Sequence, residues 1–214
     1  YDMGDVLLYV GENLSYDNEK IFVKPASELT EYVGDPLSVV CAVNENAITR
    51  PETHGIKDEE FIRGKAPMTK EEVRTVSLSK LCLAQDSICY DVGAGTGSLS
   101  IEMALRAHQG KVWAIEKKED AVELIRLNKA KFVADNLEIV EGLAPEALTE
   151  LPVPTHAFIR GSSGNLKEIV KLLIEKNPQV RIVINCITLE TVSEALETAK
   201  EFGFEENEIV QLGA

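Results

Sequence analysis

The chain has 214 residues and a mass of 23.5 kDa, and its 44% hydrophobic, 27% charged and 6% aromatic residues are the balance of one globular domain, or of one domain with a fragment of another. Lys and Arg total 22 against 36 Asp and Glu, a formal net charge of -14 that repels phosphate backbones and disfavours DNA or RNA as a general partner. No apolar run approaches the ~20 residues of a membrane span, and the start Tyr1-Asp2-Met3-Gly4 has neither an initiator Met nor a signal-peptide pattern, as expected of a cytoplasmic chain cut from a longer protein.

In chain order, residues 1–43 offer a strand at Val6–Val10, a polar turn-prone stretch, a short helical patch at Ala26–Tyr32 and a strand at Leu37–Val43. That is too little to close a core alone. Residues 44–60 turn polar, with Asn44, Asn46, Pro51, Gly55 and the charged run Lys57–Glu60, and read as a linker. From about residue 66, helix and strand alternate. A helix over Thr69–Leu83 opens with Thr69 and Glu72 at capping-box spacing. Strand Ile88–Val92, helix Leu99–Ala107, strand Lys111–Glu116, helix Glu119–Phe132 and strand Leu137–Val140 follow. Next come a short helix at Pro145–Leu148, strand Thr155–Ile159 and a Gly/Ser loop at Gly161–Asn165. Helix Leu166–Glu175, strand Arg181–Ile187, helix Leu189–Phe202 and strand Glu208–Leu212 complete the pattern. Strands separated by helices of this length predict an α/β fold, a doubly wound and mostly parallel sheet built from right-handed βαβ units. Cys41, Cys82, Cys89 and Cys186 form no CxxC pair, and three of them sit in apolar runs, which predicts buried reduced thiols and no metal site. His54, His108 and His156 fit no ligand or triad spacing.

Asp91-Val92-Gly93-Ala94-Gly95-Thr96-Gly97-Ser98 lies between the first strand of the alternating region and its helix, where such sheets bind ligands. Glu116 ends the next strand, and an acid there accepts hydrogen bonds from both hydroxyls of a ribose. A dinucleotide fingerprint needs glycine at 98, where this chain has Ser98, and a pyrophosphate would meet Asp91 as a like charge. S-adenosylmethionine (SAM) carries no phosphate, a cationic sulfonium and an ammonium, and suits an acidic loop better. A glycine turn that binds nothing is the plain alternative.

Gly55-Ile-Lys-Asp-Glu-Glu-Phe, Pro67-Met68-Thr69-Lys70-Glu71-Glu72-Val73-Arg74, the Asp91–Ser98 loop and Asn185-Cys-Ile-Thr-Leu-Glu-Thr191 together resemble the CbiT family of cobalamin biosynthesis, the decarboxylating half of precorrin-6Y C5,15-methyltransferase. The resemblance covers residues 55–212. Gly11-Glu12-Asn13-Leu14 and Pro36-Leu37-Ser38-Val39-Val40 resemble the end of the partner tetrapyrrole methylase, CbiE, so residues 1–50 read as its remnant plus linker and 51–214 as the CbiT-like domain. The resemblance implies the class I SAM-dependent methyltransferase fold with its last strand missing and a homotetrameric assembly. The implied activity is methyl transfer from SAM to a precorrin, with loss of the C12 acetate carboxyl as CO2.

Carried onto this sequence, Asp91, Gly93, Ala94, Gly95, Thr96 and Gly97 would surround the methionine part of the cofactor and Glu116 the ribose. The family's adenine-reading acid is replaced by Leu143 in Gly142-Leu143-Ala144-Pro145, so the backbone at Leu143 and Ala144 carries that task, or Glu141 or Glu146 substitutes, or affinity is reduced. Arg160 stands where the family has glycine. It and Asn185, at the end of the fifth strand, are the candidate catalytic residues, Arg160 as a partner for a substrate carboxylate and Asn185 beside the ring or acetate. A solvated arginine and a structural amide are the competing readings. The acid-free run from Phe61 to Lys70 gathers Arg63, Lys65 and Lys70, with Arg74 one turn on, into an expected basic rim for substrate carboxylates, with Met68 as an apolar contact or a core residue. Thr188 and Glu190 read as helix-capping residues. Two other functions compete: a SAM-dependent N-methyltransferase acting on RNA or protein, opposed by the absence of an Asn/Asp-Pro-Pro-aromatic run after the fourth strand, and a non-catalytic nucleotide-binding module.

Overall fold

Leu7–Glu12 opens on four consecutive apolar residues, Leu7, Leu8, Tyr9 and Val10, and this segment becomes the central strand of a small antiparallel sheet. The computed structural model describes residues 3–47, 54–160, 164–204 and 207–213, and the chain divides into two compact units, Tyr1–Thr49 and Arg50–Ala214. The expected Gly161–Ser163 stretch and residues 48–53 of the expected linker lie outside the described residues.

In the first unit β1 (Leu7–Glu12) pairs on one side with β2 (Lys20–Pro25) and on the other with β3 (Ser38–Val43), so that Val10 lies between Phe22 and Val40. Strand β2 falls in the stretch read from sequence as a polar turn. Its Ile21-Phe22-Val23 run is too short to declare itself, and pairing with β1 makes it a strand. The expected helical patch shrinks to one 3-10 turn at Ala26–Glu28. Glu12 is buried at the end of β1, where its carboxylate accepts from the Tyr32 hydroxyl at 2.8 Å and the Asp35 N–H at 2.9 Å.

The second unit holds α1 (Glu71–Leu81), β4 (Ile88–Val92), α2 (Ser98–Arg106), β5 (Lys111–Glu116), α3 (Glu119–Lys131), β6 (Leu137–Glu141), β7 (His156–Ile159), α4 (Leu166–Lys176), β8 (Arg181–Ile184) and α5 (Leu189–Glu201). Its five strands are all parallel in the order β6-β5-β4-β7-β8. The chain winds outward from β4 to β6, then returns to the other side of β4, which places the switch point beside the carboxyl end of β4. Period-two alternation sends neighbouring residues to opposite layers. Cys89, Val112, Ala114 and Phe158 pack with Leu78, Leu81, Leu99, Met103 and Ile125, while Tyr90, Val92, Trp113, Ile115 and Ile159 pack with Leu166, Ile169 and Leu173.

Four sequence expectations change here. The Thr69/Glu72 capping box does not form: the helix starts one residue later, with Lys70 as the N-cap of α1 and no side chain capping it, while the carbonyl of buried Thr69 accepts from the Arg74 guanidinium. The strand expected at Glu208–Leu212 pairs with nothing among the described residues, and its exposed Ile209, Val210 and Leu212 show why: alternation alone does not make a strand without a neighbouring ladder. The strand expected to reach Ile187 ends at Ile184. Of the cysteines only Cys89 is buried, its thiol pushed up to about 12 chiefly by burial; Cys41 and Cys82 are exposed and Cys186 is half-buried. The capping role read for Thr188 holds, since its hydroxyl accepts from the Thr191 N–H at 3.3 Å at the start of α5.

Arg74 does not join a surface rim. Its side chain is fully buried, with Nε donating to Glu102 Oε1 at 2.9 Å, Nη1 to Asp58 Oδ1 at 2.7 Å and Nη2 to the Ile56 carbonyl. The guanidinium also lies 4.7 Å from the Phe61 ring centre. Glu102, on α2, accepts from the Gly55 N–H at 2.7 Å and the Ile56 N–H at 3.3 Å. One cation and one acid, brought together from α1 and α2, thus clamp residues 55–61 against the domain. Replacing Arg74 by Met would strand the Glu102 carboxylate. We expect Arg74→Met to lower the unfolding free energy by about 3–5 kcal/mol in urea titrations, whereas Arg63→Ala, at an exposed site, stays within about 0.5 kcal/mol of wild type.

Candidate active site

Strand β4 delivers its chain into the glycine loop at the switch point. The loop satisfies much of its own backbone: the Gly93 and Ala94 N–H groups donate to the Ile115 carbonyl at 3.0 and 3.1 Å, and Gly97 N–H donates to Ala94 at 2.9 Å. Gly95 N–H donates to Glu116 Oε2 at 2.9 Å. Four amides that could cradle a phosphate are therefore committed within the protein. Gly95 has φ of +59°, and a Cβ there would lie 2.4 Å from the Pro67 carbonyl oxygen. The glycine is required because the strap of residues 61–70 crosses the loop at this point, a reason the motif did not disclose.

Glu116 ends β5 nearly buried, and its carboxylate also takes the Lys117 and Lys118 N–H groups on Oε1 at 2.9 and 3.1 Å. With about four lone-pair positions on a carboxylate, three contacts leave Oε2 with acceptor capacity. Asp91 is buried beneath the loop and accepts from the Ser100 hydroxyl. Burial first, and the charge of Glu116, raise its carboxyl to about 6 against the opposing hydrogen bond from Ser100 and the positive charge of Arg160.

A cavity of about 290 Å3 opens above these strand ends. Gly93, Gly95 and Arg160 line one end, Glu116 the middle and Gly142, Leu143 and Ala144 the other, with Pro67 and Ile187 at its edge. Neither the Leu143 nor the Ala144 N–H has a partner among the described residues. Glu141 and Glu146 are exposed and stand outside the lining.

Of the other residues singled out by sequence, Arg160 is half-buried, not solvated: its N–H donates to Val92 at 3.1 Å and its Nη1 to the Pro67 carbonyl at 3.1 Å. Asn185 is half-buried at the end of β8, bound through its N–H to Ile159 at 2.9 Å, and lies outside the lining. Its side-chain amide bonds no loop backbone among the described residues. Thr96 is buried, with its hydroxyl unpartnered. Arg63, Lys65 and Lys70 are exposed on the strap, Lys70 sitting 3.5 Å from Asp58 Oδ2, while Met68 packs half-buried against the core. None of these four lines the cavity.

Sequence reasoning missed Asn128. Fully buried on α3, it donates from Nδ2 to the Thr96 carbonyl at 3.0 Å and to Ile62 at 3.1 Å, and accepts the Ile62 N–H on Oδ1 at 2.8 Å. One amide therefore staples the strap to the glycine loop. The available signal was its spacing: Asn128 falls on the stripe of Ala121 and Ile125, an apolar face where a polar residue needs a bonded reason.

Residues 60–212 match the family model of the precorrin methyltransferase domain. The chain is 47% identical over 153 residues to a probable cobalt-precorrin-6B C(15)-methyltransferase (decarboxylating) of Sulfurisphaera tokodaii, covering 70% of this chain and 80% of that protein. Among solved structures it is similar to a precorrin-6y C5,15-methyltransferase from Geobacter metallireducens, with a TM-score of 0.69 and 41% identity over 72% of this chain and 82% of that one. A precorrin 8W decarboxylase from Methanobacterium thermoautotrophicum aligns with a TM-score of 0.66 and 35% identity, covering 70% of this chain and 82% of that one.

The buried Asp91 gives the site a pH signature. Its carboxyl titrates near 6 in the fold and near 3.8 when unfolded, so the native state holds more protons between those values and Asp91 costs stability as pH rises through them. Asp91→Asn removes that cost. Urea unfolding at pH 4 and pH 7 should show the variant gaining on wild type, by an amount on the order of 2 kcal/mol, at the higher pH.

Proposed function

The chain belongs to the precorrin methyltransferase family, and from that membership we propose that it methylates the C15 bridging carbon of a reduced, carboxylate-bearing tetrapyrrole and releases the acetate carboxyl at C12 as CO2. Its five-stranded parallel sheet is that of the class I SAM-dependent methyltransferases. The observation that carries the cofactor reading is the pairing of a self-satisfied glycine loop with two carboxylates, Asp91 and Glu116. A pyrophosphate would find four amides already used and two negative charges. A phosphate-free cationic nucleoside finds what it needs, so the residues present fit SAM.

In this reading Glu116 accepts a ribose hydroxyl on the free position of Oε2, and the Leu143 and Ala144 amides face the base. Gly93, Ala94, Gly95, Thr96 and Gly97 shape the floor, and Asp91 lends negative potential from below. SAM supplies an electrophilic methyl group when bound. The protein's own contribution is to position the ring carbon in line and to exclude water. An enamine-like bridging carbon is already nucleophilic, so positioning it asks little of an acid or base. Arg63, Lys65 and Lys70 on the strap provide the local positive charge that a polycarboxylate substrate needs against a net charge of -14. Met68 gives the strap its apolar contact, and Asn185 stands at the substrate side of β8.

Incubating the chain with cobalt-precorrin-6B and methyl-labelled SAM should yield labelled product and CO2 in equal amounts; methylation of bulk tRNA with no CO2 would overturn the assignment. For the cofactor site, Glu116→Ala should weaken S-adenosylhomocysteine in calorimetry by about 1.5–3 kcal/mol, the scale of a hydrogen bond to a charged group. Unaltered affinity in that variant removes the ribose role from Glu116.

A further inference from the structure

We propose that Arg160 binds the carboxylate of the cofactor's amino-acid end, making an intact amino acid a requirement for tight binding; the proposal rests on the SAM reading of the cavity. The argument starts from position. Arg160 follows β7 and is tied through its backbone to Val92, so its side chain is placed at the switch point. The guanidinium turns inward over the glycine loop, with Nη1 on the Pro67 carbonyl and 3.4 Å from where a Cβ on Gly95 would stand. A guanidinium has five N–H donors, and the other four have no partner among the described residues.

Charge decides what such a group is for. A carboxylate entering beside Gly93 and Gly95 approaches Glu116 and Asp91, and without a cation it would be repelled. Burial holds the Arg160 guanidinium below its ordinary value, and the charges of Asp91 and Glu116 act in the opposite direction. Lys117 and Lys118 also line the cavity but lie beyond Glu116, at the start of α3. The order of the lining then reads as base at Leu143–Ala144, ribose at Glu116 and the amino-acid end at Gly93, Gly95 and Arg160. A planar fork matches a carboxylate there with two parallel hydrogen bonds. This inward placement separates Arg160 from the exposed Arg63, Lys65 and Lys70, and argues for a cofactor carboxylate over a substrate one.

The test compares two ligands on the full chain by calorimetry: S-adenosylhomocysteine, which has the amino-acid end, and 5′-methylthioadenosine, which lacks it. Arg160→Gln should weaken the first by about 10- to 100-fold, the loss of a charged pair, and leave the second unchanged. Arg160→Lys, which restores the charge without the fork, should recover part of the loss and serves as the second variant if the glutamine form unfolds. Parallel weakening of both ligands would make Arg160 only a brace for Pro67 and overturn the proposal, as would unaltered S-adenosylhomocysteine affinity in both variants. Wild-type protein that binds neither ligand would instead defeat the cofactor reading beneath it.

Discussion

One buried guanidinium holds the functional half of this molecule in shape. Arg74 has no solvent contact and makes bonds to α2 through Glu102, to the segment that leads into the strap through Asp58 and to the backbone at Ile56 and Thr69. An ion taken out of water is costly unless its donors are filled, and here four of its five are. Burial acts to raise Asp58, yet Arg74 and then Lys70 outweigh it and hold its carboxyl below the usual range. The network lets an irregular segment, poor in regular secondary structure, lie over the sheet in a fixed place.

The strap so fixed becomes part of the site. Asn128 ties Ile62 to the glycine loop, the Pro67 carbonyl lies against Gly95, and Arg160 donates to that same carbonyl. Loop, strap and strand ends form one connected arrangement. Four of the loop amides are bonded within the protein and two buried carboxylates stand beside them, so few free donors face the cavity from the loop. Arg160, Lys117 and Lys118 line the cavity, while the strap carries Arg63, Lys65 and Lys70 on its exposed face.

The two ends of the cavity differ in character. At one end Leu143 puts an apolar side chain beside its own and the Ala144 N–H groups, neither of which has a partner among the described residues. At the other, Arg160 puts a cation near Asp91 and Glu116, whose charges it partly offsets.

Much of this was written in the chain's local patterns. The βαβ alternation, the glycine loop after β4, the acid closing β5 and the strap's cations are local features, and strand and helix periodicity report them directly. What the sequence withheld are relations between distant residues. Arg74 and Glu102 are 28 positions apart and Gly55 and Glu102 are 47, so nothing in the run Pro67–Arg74 separates a buried hub from a surface charge. The same holds for Gly95, whose lack of a side chain answers to Pro67, and for Asn128, which answers to Thr96 and Ile62. Ladder pairing likewise made a strand of Lys20–Pro25 and none of Glu208–Leu212. Periodicity fixes which face of an element is apolar; only packing decides which polar groups are sealed beneath it, because the free energy of a buried charge depends on partners brought in by the rest of the chain.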